Sequence, residues 1–215
     1  YTNVDTLSLH DALPISFIIY KMLSTLLQHK NIILASGSPR RQQFFKEMDL
    51  NFTIQLKEIE EIYPNHLKAE EITDFLAILK AEAFEKDLKD DDILVTSDTI
   101  VWLNGEALGK PKDTEDAFQM LQKLANQTHE VITSVCLKSV EKTEVFHCVT
   151  KVTFNTLSDE AILYYITNYN SLDKAGSYGI QDWIGLIGIS KIEGSYTNVV
   201  GLPTEMLFQK LMNYA

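Results

Sequence analysis

Cysteine is scarce: Cys136 and Cys148 are the only two in 215 residues. No CxxC pair and no His/Cys group at zinc-ligand spacing is present, which excludes a disulfide scaffold and a structural zinc site of the familiar kind. Two free thiols in a reducing compartment are expected; a bridge across paired strands is open but not required. Basic residues are also few. Nineteen Lys and Arg stand against thirty Asp and Glu, a formal net charge of -11. A nucleic-acid backbone needs clustered cations, so nucleic acid is not expected as a partner. A nucleotide remains open, because a triphosphate needs only a few cations focused in one cleft. No apolar run reaches the roughly 20 residues that span a bilayer, so no membrane partner is expected either.

What is present is the mix of an ordinary globular protein, 45% hydrophobic and 23% charged. The length suits one domain, or two small lobes sharing a cleft. Residues 1–21 read differently. They have no basic segment ahead of their short apolar run, and Pro14 interrupts that run, so they make a poor signal peptide. The stretch resembles translated sequencing-adapter sequence with a natural start at Met22. The expectation is an extension over residues 1–21 and a single domain over 22–215.

From Asn31 the pattern is regular. NIILA predicts a buried strand entering the loop Ser36-Gly37-Ser38, and Pro39 suits the first turn of the helix that follows. NFTIQL alternates like a strand. Apolar residues at helical spacing predict one helix from Glu70 to Leu88. DDILVTSD predicts a strand closing on a polar tip at Ser97 and Asp98, followed by a hairpin turned at Asn104-Gly105. Asp113 caps a helix over Thr114–Ala125, and Ser158 caps another. Two alternating runs flanking Lys142 predict antiparallel neighbours. Strands near Ile189 and Val199, then a helix from Leu202 to Met212, complete the chain. Strands and helices mix throughout, which gives an α/β (mixed α+β) class with a mixed sheet flanked by helices.

Four places could carry chemistry. In Ala35-Ser36-Gly37-Ser38-Pro39-Arg40-Arg41, a small-residue turn meets a helix N-terminus, whose free N–H groups and positive dipole end suit a phosphate. Arg40 and Arg41 add forked cationic donors; the bland alternative is a helix cap with two surface arginines. Asp98, in Ser97-Asp98-Thr99, could take a proton from water or hold a divalent cation; its alternative is a plain turn. Lys80, Lys110 and Lys174 are single lysines of the kind that usually lie in solvent, although Gly109 and Pro111 fix the backbone around Lys110. In Asp173-Lys174-Ala175-Gly176-Ser177-Tyr178-Gly179-Ile180-Gln181, two glycines allow close approach to a ligand, and Gln181 can read both donors and acceptors on a base. The alternative there is a flexible loop. The run GSYTNVVGLP from Gly194 reads as structural.

The order of these pieces is more telling than any one of them. ASGSPRR, SDT, LGKP, DKAGSYGIQ and GSYTNVVGLP follow one another as in the Maf family of nucleotide pyrophosphatases, which the chain resembles from about Asn31 to its end. The resemblance implies two lobes with a central cleft, akin to inosine triphosphate pyrophosphatases. It implies hydrolysis between the α and β phosphates, a divalent cation (Mg or Mn), a homodimer and a cytoplasmic location. By motif position it assigns proton acceptance to Asp98, the phosphate loop to Ser36, Arg40 and Arg41, and charged cleft positions to Glu61, Lys80 and Lys110. Asp98 and Glu61 are its candidate metal ligands, and Lys174 is a candidate for substrate contact. Arg40, Thr99 and Gln181 match the positions that sort substrates, in the combination of the branch acting on dTTP and UTP. The rival expectations are cleavage of modified or purine nucleotides such as 7-methyl-GTP, and a nucleotide sensor without turnover. Two departures stand out: Ser97 where a smaller residue is common, and Asp182-Trp183-Ile184 after Gln181, expected to narrow the base pocket.

Overall fold

A computed structural model describes residues 23–215; the expectation for residues 1–21 lies outside the described residues. A seven-stranded sheet runs through the molecule in the order β2-β1-β3-β5-β6-β7, with β4 also paired to β3. β1 (Asn31–Leu34) lies parallel to β2 (Phe52–Ile54) and to β3 (Asp92–Leu103); every other pair is antiparallel. The parallel side needs crossovers, supplied by α1 (Pro39–Glu47) and α2 (Glu70–Glu82). The antiparallel side is built from β5 (Thr128–Lys138), β6 (Thr143–Phe154) and the edge strand β7 (Ile189–Glu193). This is the mixed α/β class that the pattern predicts.

β3 departs from its expected end. It does not close at Ser97 and Asp98 but runs on to Leu103 at the hairpin, 12 residues in all, because β5 pairs with it as far as Trp102. On one edge β5 pairs with it from Leu94 to Trp102. On the other edge β1 pairs only as far as Val95 and β4 (Glu106–Leu108) only from Val101. No strand of the described residues covers that edge between Thr96 and Ile100. Asn104 and Gly105, with φ of 51° and 86°, make the tight turn into β4.

The two faces of the sheet are filled differently. α2 covers one face with Ile72, Leu76, Ala77 and Ala81, packed on Leu94, Ile100, Ile132 and Cys136. The opposite face carries two separate apolar clusters. One gathers Leu34, Phe45, Val95, Leu137 and Leu207 beneath α1 and α7 (Thr204–Leu211). The other gathers Val101, Leu121, Phe154, Tyr165 and Ile184 beneath α3 (Thr114–Leu124), α4 (Asp159–Asn168) and α5 (Trp183–Gly188). Between them lies a polar band of Thr99, Thr133, Thr150 and Asn198, joined by hydrogen bonds.

Three local expectations are corrected. α2 stops at Glu82 rather than Leu88, since the chain tightens into i to i+3 turns from Ala81 to Asp87, and Lys57 Nζ takes the Ala83 carbonyl at 2.7 Å. Val199 is not in a strand. It lies in the short helix α6 (Tyr196–Val200), opened by Ser195, whose hydroxyl accepts from the Asn198 N–H at 3.3 Å. The Asn198 side chain turns inward to Val131 and Thr150, a partner that β-branched neighbours in sequence do not announce. The last helix begins at Thr204. Elsewhere Asp113 and Ser158 cap α3 and α4 as expected. Both thiols are free, Cys136 being buried; their strand partners are Val145 and Thr133 rather than each other.

Candidate active site

The uncovered stretch of β3 floors a cavity of about 720 Å³, within the range of small-molecule sites. Because successive strand residues point to opposite faces, Asp98 looks toward α2 while Ser97 and Thr99 look toward α1. The cavity straddles that edge. Ser36, Arg40 and Arg41 line it from the loop and the start of α1, while Glu61 and Lys80 line it from the α2 side. Lys110, Lys174 and Gln181 also border it, with Asp98 and Thr99 between. All the residues singled out in the sequence therefore share one space.

On the α2 side, Lys80 Nζ lies 2.7 Å from Asp98 Oδ1 and 3.1 Å from Glu61 Oε1. Asp98 and Lys80 are largely buried, at 9% and 15% side-chain exposure, while Glu61 is exposed at 49%. Lys80 follows Leu76 by four and Ala77 by three, so the stripe that packs α2 on the sheet also aims the lysine along it. That spacing was legible; the surface alternative is set aside by the geometry.

On the other side Arg41 is anchored by protein groups. Nε donates to the Gly201 carbonyl at 2.8 Å, Nη1 to the Ser97 carbonyl at 3.0 Å, and Nη2 to Thr99 Oγ1 at 2.9 Å. A longer Nη1 contact reaches Ser36 Oγ at 3.5 Å. Burial pulls the guanidinium down from its ordinary value, and the nearby Asp98 carboxylate opposes that pull; an arginine stays charged even so. Thr99, having accepted from Arg41, meets Thr133 Oγ1 at 3.0 Å, and Thr133 donates to the Asn198 carbonyl at 3.1 Å. GSYTNVVGLP thus does structural work for the site by fastening Arg41 and Thr99. Thr133 and Asn198 escaped the sequence reading, since nothing in their neighbours marks a buried polar chain.

In the phosphate-type loop, Ser38 makes no side-chain cap bond to α1, and Pro39 occupies its first turn. Ser36 Oγ accepts from the Ser38 N–H at 3.3 Å, which shapes the turn. Arg40 Nη1 reaches across to Asp173 Oδ2 at 3.2 Å.

The DKAGSYGIQ loop is pinned rather than flexible. Gly176 N–H donates to the Gly109 carbonyl at 3.0 Å, which accounts for the fixed backbone beside Lys110. Gly176 has φ of 65°, and an added Cβ would meet Val101 at 2.7 Å, so only glycine fits. Lys174 is 8% exposed and spends its charge inside the protein, on Asp173 Oδ1 at 2.9 Å, Asp182 Oδ2 at 3.5 Å and the Asn170 carbonyl. Tyr165 OH donates to Asp182 Oδ2 at 2.7 Å and accepts from the Gly179 N–H at 3.0 Å. Asp182 and Trp183 do not line the cavity, so they do not narrow it as expected; Asp182 is turned to Tyr165 and Lys174. Gln181 is exposed, and Lys110 has no hydrogen-bond or ion-pair partner among the described residues.

Asp98 and Glu61 offer hard carboxylate oxygens of the kind that Mg²⁺ and Mn²⁺ accept. No group of three or more His, Cys, Asp or Glu that could hold a metal occurs among the described residues. A divalent cation held there would draw its remaining ligands from water and substrate oxygens.

Comparison with known proteins bears on the chain as a whole. The dTTP/UTP pyrophosphatase of Flavobacterium psychrophilum is 65% identical over 193 residues, covering 90% of this chain and 99% of that protein. The dTTP/UTP pyrophosphatase of Flavobacterium johnsoniae is 63% identical over 190 residues, covering 88% of this chain and 98% of that one. Among solved structures, the Staphylococcus aureus Ham1 protein matches with a TM-score of 0.49 at 20% identity, over 86% of this chain and 100% of that one. The fold class stands on the sheet itself and does not need that likeness. A family model described as Maf-like protein matches residues 31–214, the span in which all five motifs and every cavity-lining residue fall, and the chain belongs to the Maf family.

Proposed function

We propose that this chain is a nucleoside triphosphate pyrophosphatase that hydrolyses dTTP and UTP to the monophosphate and pyrophosphate. The observation that carries the reading is the Lys80–Asp98–Glu61 cluster facing a phosphate-type loop across the open edge of β3. The dTTP/UTP pyrophosphatases that are 65% and 63% identical to the chain support it.

The residues account for the reaction as follows. The triphosphate's charge must be neutralised before water can approach phosphorus; Arg40, Lys80, Lys110 and the N-terminus of α1 provide that field. Asp98 accepts the proton of the attacking water as the new oxygen–phosphorus bond forms. The α–β anhydride bond breaks, and pyrophosphate leaves with the electron pair. Lys80, held between Asp98 and Glu61, fixes the carboxylate and counters the growing charge. Arg41 keeps Thr99 and the open edge of β3 in place. A divalent cation held by Asp98 and Glu61 would polarise the phosphoryl oxygens when bound. Gln181 offers a donor and an acceptor, matching the carbonyl and N–H edge of thymine or uracil. A cytoplasmic location and a homodimer belong to the same proposal; light scattering of the purified chain tests the second.

The experiment is a panel of nucleoside triphosphates with Mg²⁺ or Mn²⁺, scored for pyrophosphate against single phosphate. Faster release of pyrophosphate from dTTP and UTP than from GTP, ATP or 7-methyl-GTP is expected. Release of single phosphate, or no turnover on any nucleotide, would sink the reading.

A further inference from the structure

Arg40 and Asp173 are 133 residues apart in the chain, yet Arg40 Nη1 lies 3.2 Å from Asp173 Oδ2, and both line the cavity. No other side-chain hydrogen bond or ion pair holds Arg40 among the described residues. Its Nε and Nη2 donors therefore remain open beside the site. The pair is partly in solvent, with side-chain exposures of 25% and 40%. An ion pair so placed contributes little to stability, so stability is a weak reason for it.

The carboxylate is far better anchored than the arginine. Its other oxygen, Oδ1, accepts from Lys174 Nζ at 2.9 Å. Lys174 is itself buried and tied to the Asn170 carbonyl and to Asp182, which Tyr165 holds in turn. Burial raises the Asp173 carboxyl, but Lys174 and Arg40 outweigh it and leave the group below the ordinary carboxylate range. A fixed anion thus faces a long, otherwise unrestrained cation. An unrestrained arginine loses rotamer freedom when it binds a ligand, and binding is stronger when that freedom is already removed.

We propose that Asp173 is a positioning residue: it holds the Arg40 guanidinium across the cavity, with its free N–H groups ready for the substrate's phosphate oxygens. It also joins the phosphate loop to the loop ending at Gln181, so the two ends of a nucleotide are held in register. The proposal rests on the reading of the cavity as a triphosphate site. It differs from a role in which Asp173 competes with phosphate for Arg40, and the two predict opposite changes in KM.

The test is a double-mutant cycle of Arg40→Ala and Asp173→Ala, with Asp173→Asn added because the amide keeps one acceptor oxygen. KM and kcat are measured on whichever nucleoside triphosphate the wild-type protein cuts best, and the affinity for inorganic triphosphate is measured by calorimetry. Asp173→Ala should raise KM by about three- to fivefold, since a partly exposed pair can lend Arg40 no more than its own worth, while kcat changes by less than about twofold. Asp173→Asn should recover much of that loss. In the Arg40→Ala background, Asp173→Ala should change KM by less than about twofold, because its effect passes through Arg40. An additive loss in that background would show damage to the loop instead, and a lowered or unchanged KM would overturn the proposal directly. If the wild-type protein cut no nucleotide, the function reading would fail by itself. The cycle would then be read on inorganic triphosphate, and absence of binding there would overturn both.

Discussion

Asp98 and Gln181 divide the proposed work between the reacting phosphate and the base. Asp98 is buried against Lys80 at 2.7 Å, so an amide can replace its carboxylate with little change of shape while losing both charge and basicity. Asp98→Asn should retain the wild-type melting temperature within a few degrees and lose on the order of 10²–10⁴ in kcat, the usual worth of a positioned proton acceptor. Wild-type turnover by the purified variant would remove Asp98 from the chemistry. Gln181 is exposed at the cavity, so its replacement should leave the fold untouched. An ionised glutamate there has only acceptors. Gln181→Glu should therefore lower kcat/KM on dTTP and UTP while leaving the affinity for inorganic triphosphate within about twofold, since unpaired polar groups penalise only the mismatched base. Equal losses on base and on triphosphate would refute a base-reading role.

At the scale of elements, α6 and α3 make a useful contrast. α6 is only five residues long and has little stability of its own; its place is fixed by Asn198, fully buried, whose Nδ2 donates to Val131 O at 3.0 Å and Thr150 Oγ1 at 2.9 Å. The same segment carries the Gly201 carbonyl that holds Arg41. Asn198→Ala should cost roughly 1–3 kcal/mol for each buried polar group left unpaired, read as a lower denaturation midpoint. It should also reduce turnover, because Arg41 loses its seat. Asp113→Ala removes the cap of α3, whose hydroxyl-free acceptor takes the Asp116 N–H at 2.9 Å, and should cost about 1 kcal/mol with kcat unchanged. If both variants lost stability and neither lost turnover, the polar band would be structural only.

For the molecule as a whole, His129 sets a pH response that has nothing to do with the cavity's charges. It is 1% exposed, stacked on Phe154 and bonded through Nε2 to Tyr178 OH at 2.7 Å. Burial lowers its pKa from 6.5 to about 4. The unfolded chain therefore binds a proton that the folded chain refuses, and stability falls as pH drops from about 6.5 toward about 4. The loss amounts to something on the order of 3 kcal/mol, from the value of one pKa unit. Denaturant melts across that window should show the slope, and His129→Phe, if folded, should flatten it. An unchanged slope would mean that other groups carry the acid response.

The local order of this chain was decided by sequence. Buried runs such as NIIL, the caps Asp113 and Ser158, the Asn104-Gly105 turn and the half-exposed pattern of β6 are set by contacts within a few residues, so each is readable where it stands. The motif order likewise gathers the candidate residues without any geometry. What the tertiary structure decided is what joins distant segments. β3 runs on past Asp98 because β5 pairs with it throughout, and the site opens where β1 stops and β4 has not begun. Val199 turned helical because Asn198 found its partners on β5 and β6. Lys174 was drawn inward by Asp173 and Asp182, and Arg41 was fastened at Gly201, 160 residues away. A hydrogen bond or ion pair between remote residues leaves no periodic trace in either one's neighbours, so only the folded chain reveals which polar groups meet.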